Sequence, residues 1–92
     1  MATITERIKQ FLNDILENRQ LEKVQKDASA IQGMRNPSET IQMAAVKNDG
    51  LAIQYISNPY EAVKMAAVQQ NPEAILFIEK PSEQVQLAAV SQ

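Results

Sequence analysis

The chain has 92 residues, 45% apolar and 22% charged, with nine basic against eleven acidic side chains for a formal charge of −2. That length supports one small domain, and that composition lies well away from the disordered range of low hydrophobicity and high net charge. With no cysteine and no histidine, disulfides, thiolate chemistry, zinc sites of the Cys/His type and imidazole-based catalysis are excluded.

The opening stretch TITERIKQFLNDILEN places Ile4, Ile8, Phe11, Leu12, Ile15 and Leu16 at helical spacing. It predicts an N-terminal amphipathic helix over residues 1–17, lying across the hairpin that follows. Glu6, Arg7 and Lys9 stand where a secretory signal needs an uninterrupted apolar core, and no apolar run approaches the length of a membrane span. A cytoplasmic protein without membrane association is therefore expected. The first 35 residues hold six Lys/Arg against five Asp/Glu, a lean that reads as a solvated, salt-bridged surface rather than a phosphate-binding patch.

From Asn36 onward the chain repeats itself. NPSETIQMAAV at 36, NPYEAVKMAAV at 58 and KPSEQVQLAAV at 80 follow one another at a spacing of 22 residues. A period of that size marks stacked helical hairpins. The units are 36–57, 58–79 and a half repeat over 80–92, within a single domain spanning 1–92. A degenerate copy occupies 18–35, where KDASAIQGMRN aligns with NDGLAIQYISN and the upstream residues Glu17, Gln20, Leu21 and Val24 match Glu39, Gln42, Met43 and Val46. Glu22 and Lys23 stand there in place of the paired alanines, as a terminal cap on a stacked array requires.

Each repeat opens with a helix start. Asn36 and Asn58 suit the cap position, Pro37 and Pro59 the first helical residue, and Glu39 and Glu61 a return bond to the cap. Lys80 in the third copy lacks a side-chain acceptor, so the third start is expected to be the weakest, by about 1 kcal/mol. Those glutamates are read as helix-start residues rather than catalytic acids. Along the first of these helices Ile41, Ala44 and Ala45 fall on one side and Met43 and Val46 on another, so the helix has two packed neighbours and the alanines act as spacers. NDGLAIQYIS and QNPEAILFIE follow, capped by Asp49 and Asn71, and are assigned to short helices of about two turns; β-strands are the weaker alternative because Pro72 and Pro81 bracket the AILFI run. The fold class is all-α: a small α-solenoid of stacked short helical hairpins with an N-terminal amphipathic helix.

The phrase shared by NPSETIQMAAVKNDGLAIQYI, NPYEAVKMAAVQQNPEAILFI and KPSEQVQLAAV resembles short tandem repeats in uncharacterised bacterial and bacteriophage proteins. Some of these belong to a domain of unknown function whose repeats carry an LAAVxxNGxAL core. The resemblance covers residues 36–92 and carries no catalytic motif. It implies a small helical repeat protein, phage-encoded, acting as an inhibitor that binds host defence machinery.

The expected function is that of a non-catalytic protein–protein interaction module without a cofactor or metal. The half repeat leaves Val85, Leu87, Ala88 and Val90 without a following helix to cover them, which suggests a homodimer or a docked protein partner. Gln42, Lys64 and Gln86 form one exposed ridge, Lys47, Gln69 and Ser91 another, and Leu76 adds an apolar anchor beside Tyr55 and Phe77, whose rings are assigned mainly to core packing. The alternative is a nucleic-acid-associated or structural assembly protein, although no aromatic stacking platform accompanies the basic residues and two glycines form no phosphate loop. Catalysis is not expected.

Overall fold

Thr3 starts the first helix. Its hydroxyl accepts from the Glu6 amide at 3.1 Å while the Glu6 carboxylate accepts from the Thr3 amide at 3.4 Å, a reciprocal capping box. In this computed structural model, which describes residues 2–91, α1 runs unbroken from there as Ile4–Lys26. No Gly or Pro lies between Ala2 and Lys26, so nothing ends the helix at residue 17. One rod of about 35 Å therefore spans both the opening segment and the first half of the degenerate repeat. The opening segment does not lie over the first hairpin as expected. It continues past it, with Ile4 75% and Phe11 63% exposed.

Six further elements follow: η1 (Ala28–Gly33), α2 (Glu39–Asn48), η2 (Gly50–Tyr55), α3 (Glu61–Gln70), η3 (Pro72–Phe77) and α4 (Glu83–Val90). Here η denotes a 3-10 helix, and the described residues contain no strand. The short segments expected as two-turn helices thus adopt the tighter winding. Asp27, Asp49 and Asn71 cap them, each side chain accepting from the amide two residues on at 3.0 Å. An i to i+3 bond closes each first turn, such as the Ala52 amide to the Asp49 carbonyl at 2.9 Å.

The α-helix starts lie two residues beyond their expected caps. Ser38 and Ser82 are the capping residues, their hydroxyls accepting from the Ile41 and Val85 amides at 3.3 and 3.2 Å. Asn36 and Lys80 instead take left-handed backbone angles, φ 44° and 50°, and turn the chain ahead of the proline. The weakest start is consequently the second, where Tyr60 stands in the serine position and supplies no side-chain bond. Ser38 and Ser82 also donate to Glu17 and Glu61 of the preceding helix, so Tyr60 forgoes a link to Glu39 as well. Tyr60→Ser is expected to stabilise the protein by about 1 kcal/mol, a rise in Tm of about 5 °C by thermal circular dichroism.

Core residues recur at the same spacing: Val24, Val46 and Val68, then Ile41, Val63 and Val85, are all fully buried. Each α-helix touches the α-helices beside it in sequence and the 3-10 helices nearest it, and the 3-10 helices touch in succession. At the end of α2 the Asn48 amide donates to the Val24 and Gln25 carbonyls at 2.9 and 3.1 Å, holding the close of α1. The result is long: 50 × 28 × 18 Å, with a Cα radius of gyration of 15.1 Å against about 12 Å for a compact chain of this length.

Candidate interaction surface

Successive residues of an α-helix turn by about 100°, which gathers Ile4, Ile8, Phe11, Leu12, Ile15 and Leu16 into one sector of α1. All but the half-buried Ile15 are more than half exposed. Leu21 and Val24, which carry α1 into the core, lie on nearly the opposite side of the cylinder. The apolar sector therefore faces away from the rest of the fold. Past Leu16 the same sector bears Arg19, Glu22, Lys23 and Lys26, all exposed, so the apolar patch ends there after about 18 Å of helix.

A second surface is built by the repeat. A cleft of about 290 Å³ lies between Ser38, Gln42, Tyr55 and Tyr60, and its counterpart one repeat on, about 410 Å³, lies between Asn58, Lys64 and Phe77. Tyr55 and Phe77 wall these clefts at 36% and 46% exposure, so neither ring is the core residue expected. They sit at the last position of a 3-10 helix, where the short turn leaves the side chain on the rim.

The expected site residues divide. Gln42 is buried, not on an exposed ridge: its side chain donates to the Pro37 carbonyl at 3.0 Å and accepts from the Tyr60 amide at 3.4 Å. Gln86 is exposed but makes the same bond, to the Pro81 carbonyl at 2.9 Å. These glutamines fasten the loop ahead of their own helix. Lys64, between them in the series, is half-buried and pairs with Glu61 at 3.9 Å.

At the far end, Val85 is fully buried against the core, which removes it from any uncovered face. Ala88 is half-buried and packs on the core. Leu87, Val90 and Leu76 are exposed, Leu76 to 78%. The buried side of α4 is covered by α3 and η3. Leu87 and Val90 lie on its other faces.

Several carboxylates have structural partners. Glu6 closes the capping box, Glu17 and Glu61 receive the serine hydroxyls, and Asp27 and Asp49 cap 3-10 helices. Among the described residues no three His, Cys, Asp or Glu side chains gather as a metal site, and no helix is long and apolar enough to cross a membrane. The chain matches no family model, no curated protein and no solved structure.

Proposed function

We propose that the protein is a non-catalytic protein-binding module: a short α-solenoid that carries an amphipathic helix beyond its stack. The observation that carries this reading is the row of large apolar side chains on α1, exposed and turned away from the chain's own core. A patch of that size on a small monomer marks association. Leu76 and Phe77 on η3 and Leu87 and Val90 on α4 are further exposed apolar side chains. The engagement of Glu6, Glu17, Asp27, Asp49 and Glu61 supports the non-catalytic part, since groups fixed in caps and links are not placed to exchange protons with a substrate. On the repeat resemblance we extend the reading to an inhibitor that binds host defence machinery.

Photo-crosslinking in cells tests it. A benzophenone side chain placed at Phe11, and separately at Leu76, should give adducts of discrete mass with protein. The same group at Asn13, on the polar side of α1, should give none. Absence of a discrete adduct at both Phe11 and Leu76 would overturn the module reading.

A further inference from the structure

We infer that the exposed face of α1 is the contact for a second copy of this chain, paired with it antiparallel about a two-fold axis. The inference rests on the module reading and names the occupant of one of its surfaces. Ile4, Ile8, Phe11 and Ile15 alternate in steps of four, three and four, the spacing of a helix–helix seam. Put the two-fold axis beside Lys9 and Gln10. Ile4 then faces Ile15 of the second copy and Ile8 faces Phe11, and the symmetry repeats both layers. Four layers result, with an apolar side chain at every position, and Leu12 flanks them on the side opposite Arg7 and Asp14.

Charge fits the same register. Arg7 and Asp14 flank the seam on one side, seven residues apart, and antiparallel helices bring flanking positions of that kind opposite one another. Arg7 then meets Asp14 of the second copy, and Asp14 meets its Arg7. Within the chain Asp14 accepts from the Gln10 amide at 2.8 Å, while the ion pair among the described residues is Lys64 with Glu61. The guanidinium and carboxylate are therefore available to each other across the axis.

Area and placement agree. Ile4, Ile8, Phe11 and the flanking Leu12, side chains of about 200 Å² each and more than half exposed, offer roughly 500 Å² per copy and about 1,000 Å² for the pair, the least that a specific interface clears. Because the seam faces away from Leu21 and Val24, the two stacks of repeats extend from opposite ends of the helix pair without meeting. Where the second copy's seam would run past Leu16, exposed Arg19, Glu22 and Lys26 halt it. The apolar length thus matches the overlap that the symmetry requires. A membrane surface would also take an amphipathic helix, but it gives no reason for an arginine and an aspartate at mutually opposing positions on one flank.

The chain has no cysteine, so introduced ones report register directly. Sedimentation equilibrium at tens of micromolar should give twice the 10.3 kDa chain mass. Ile8→Glu should weaken association at least about 100-fold, and Arg7→Asp several-fold. The exchanged double variant, Arg7→Asp with Asp14→Arg, should restore it. These positions are exposed in the single chain, so far-ultraviolet circular dichroism should show each variant folded. An equimolar mixture of Ile4→Cys and Ile15→Cys chains should form a disulfide between the two kinds, while either alone should not crosslink. Crosslinking of Ile4→Cys with itself would mean a parallel pair and overturn the arrangement. A strict monomer would overturn the pairing altogether. So would a monomer that co-sediments with phosphatidylglycerol vesicles, or one whose benzophenone at Phe11 captures only another protein, and the last outcome leaves the module reading standing.

Discussion

Gly50→Ala should lower the Tm by about 10–15 °C, a loss of about 2–3 kcal/mol, although it adds a single methyl group. A Cβ at that position would overlap the Ala67 carbonyl oxygen of α3, with the Gln70 side-chain oxygen 2.8 Å away and the Asn71 Cβ at 3.2 Å. The obstacle is backbone, which cannot swing aside as a side chain would. The Gly50 amide also donates to the Gln70 side chain, so any retreat of η2 from α3 breaks that bond too. Conformation is not the reason. No glycine in the chain has a positive φ, and Ala28 and Pro72 occupy the equivalent positions in the neighbouring repeats. A side chain is compatible with the turn, and it is the approach of α3 that forbids one at residue 50.

Gly33→Ala supplies the contrast. A Cβ there meets nothing within 4 Å, so the substitution should be neutral or stabilising by about 0.5 kcal/mol through the unfolded chain. Thermal melts of the two variants beside the parent check both signs. Equal losses would mean that glycine at 50 serves the local turn and not the contact between repeats.

The periodic elements were legible because their signals are local. Asp49 and Asn71 cap the segments assigned to them, since an Asx side chain bonds to amides two residues away regardless of tertiary context. The apolar spacing of α2 and α3 located Ile41, Val46, Val63 and Val68 in the core. The α-helix caps were displaced because two devices compete over four residues. Asn-Pro reads as cap and first turn, yet Ser38 and Ser82 are better placed, and Asn36 is used for its tolerance of the left-handed turn. The 3-10 winding was not legible, because six residues carry no periodicity that separates three from 3.6 residues per turn.

The candidate surface is not legible in sequence where tertiary placement decides it. The pattern of α1 shows which residues share a face but not which way that face looks. Its direction follows from the missing breaker between Ala2 and Lys26: a straight helix anchored through Leu21 and Val24 cannot fold its other end back over the same hairpin. Gln42 falls between the two apolar stripes of α2, a position that reads in sequence as an exposed ridge. It is buried because it satisfies the Pro37 carbonyl and the Tyr60 amide, which would otherwise be left without partners as α3 closes over them.

Ala67→Leu should be comparably severe, costing about 3 kcal/mol, whereas Ala89→Leu at the equivalent place in α4 should cost less than about 1 kcal/mol. Ala45 and Ala67 are fully buried, while their preceding alanines, Ala44 and Ala66, and also Ala89, are only partly so. Of each alanine pair, then, the second sets the spacing between neighbouring helices, and a larger side chain would drive them apart along the whole contact. In the degenerate repeat this position is Lys23, exposed beside the exposed Glu22. No further helix can approach that exposed side of α1 as closely as α3 approaches η2. The stacking that proceeds by small residues therefore stops at α1, and the association offered there is of another kind, built on the large side chains Ile4 to Leu16. Chemical denaturation of Ala45→Leu, Ala67→Leu and Ala89→Leu measures the gradient. If all three lose the same stability, helix spacing is not set by this residue, and the distinction between stacked and seam-forming faces of α1 loses its basis.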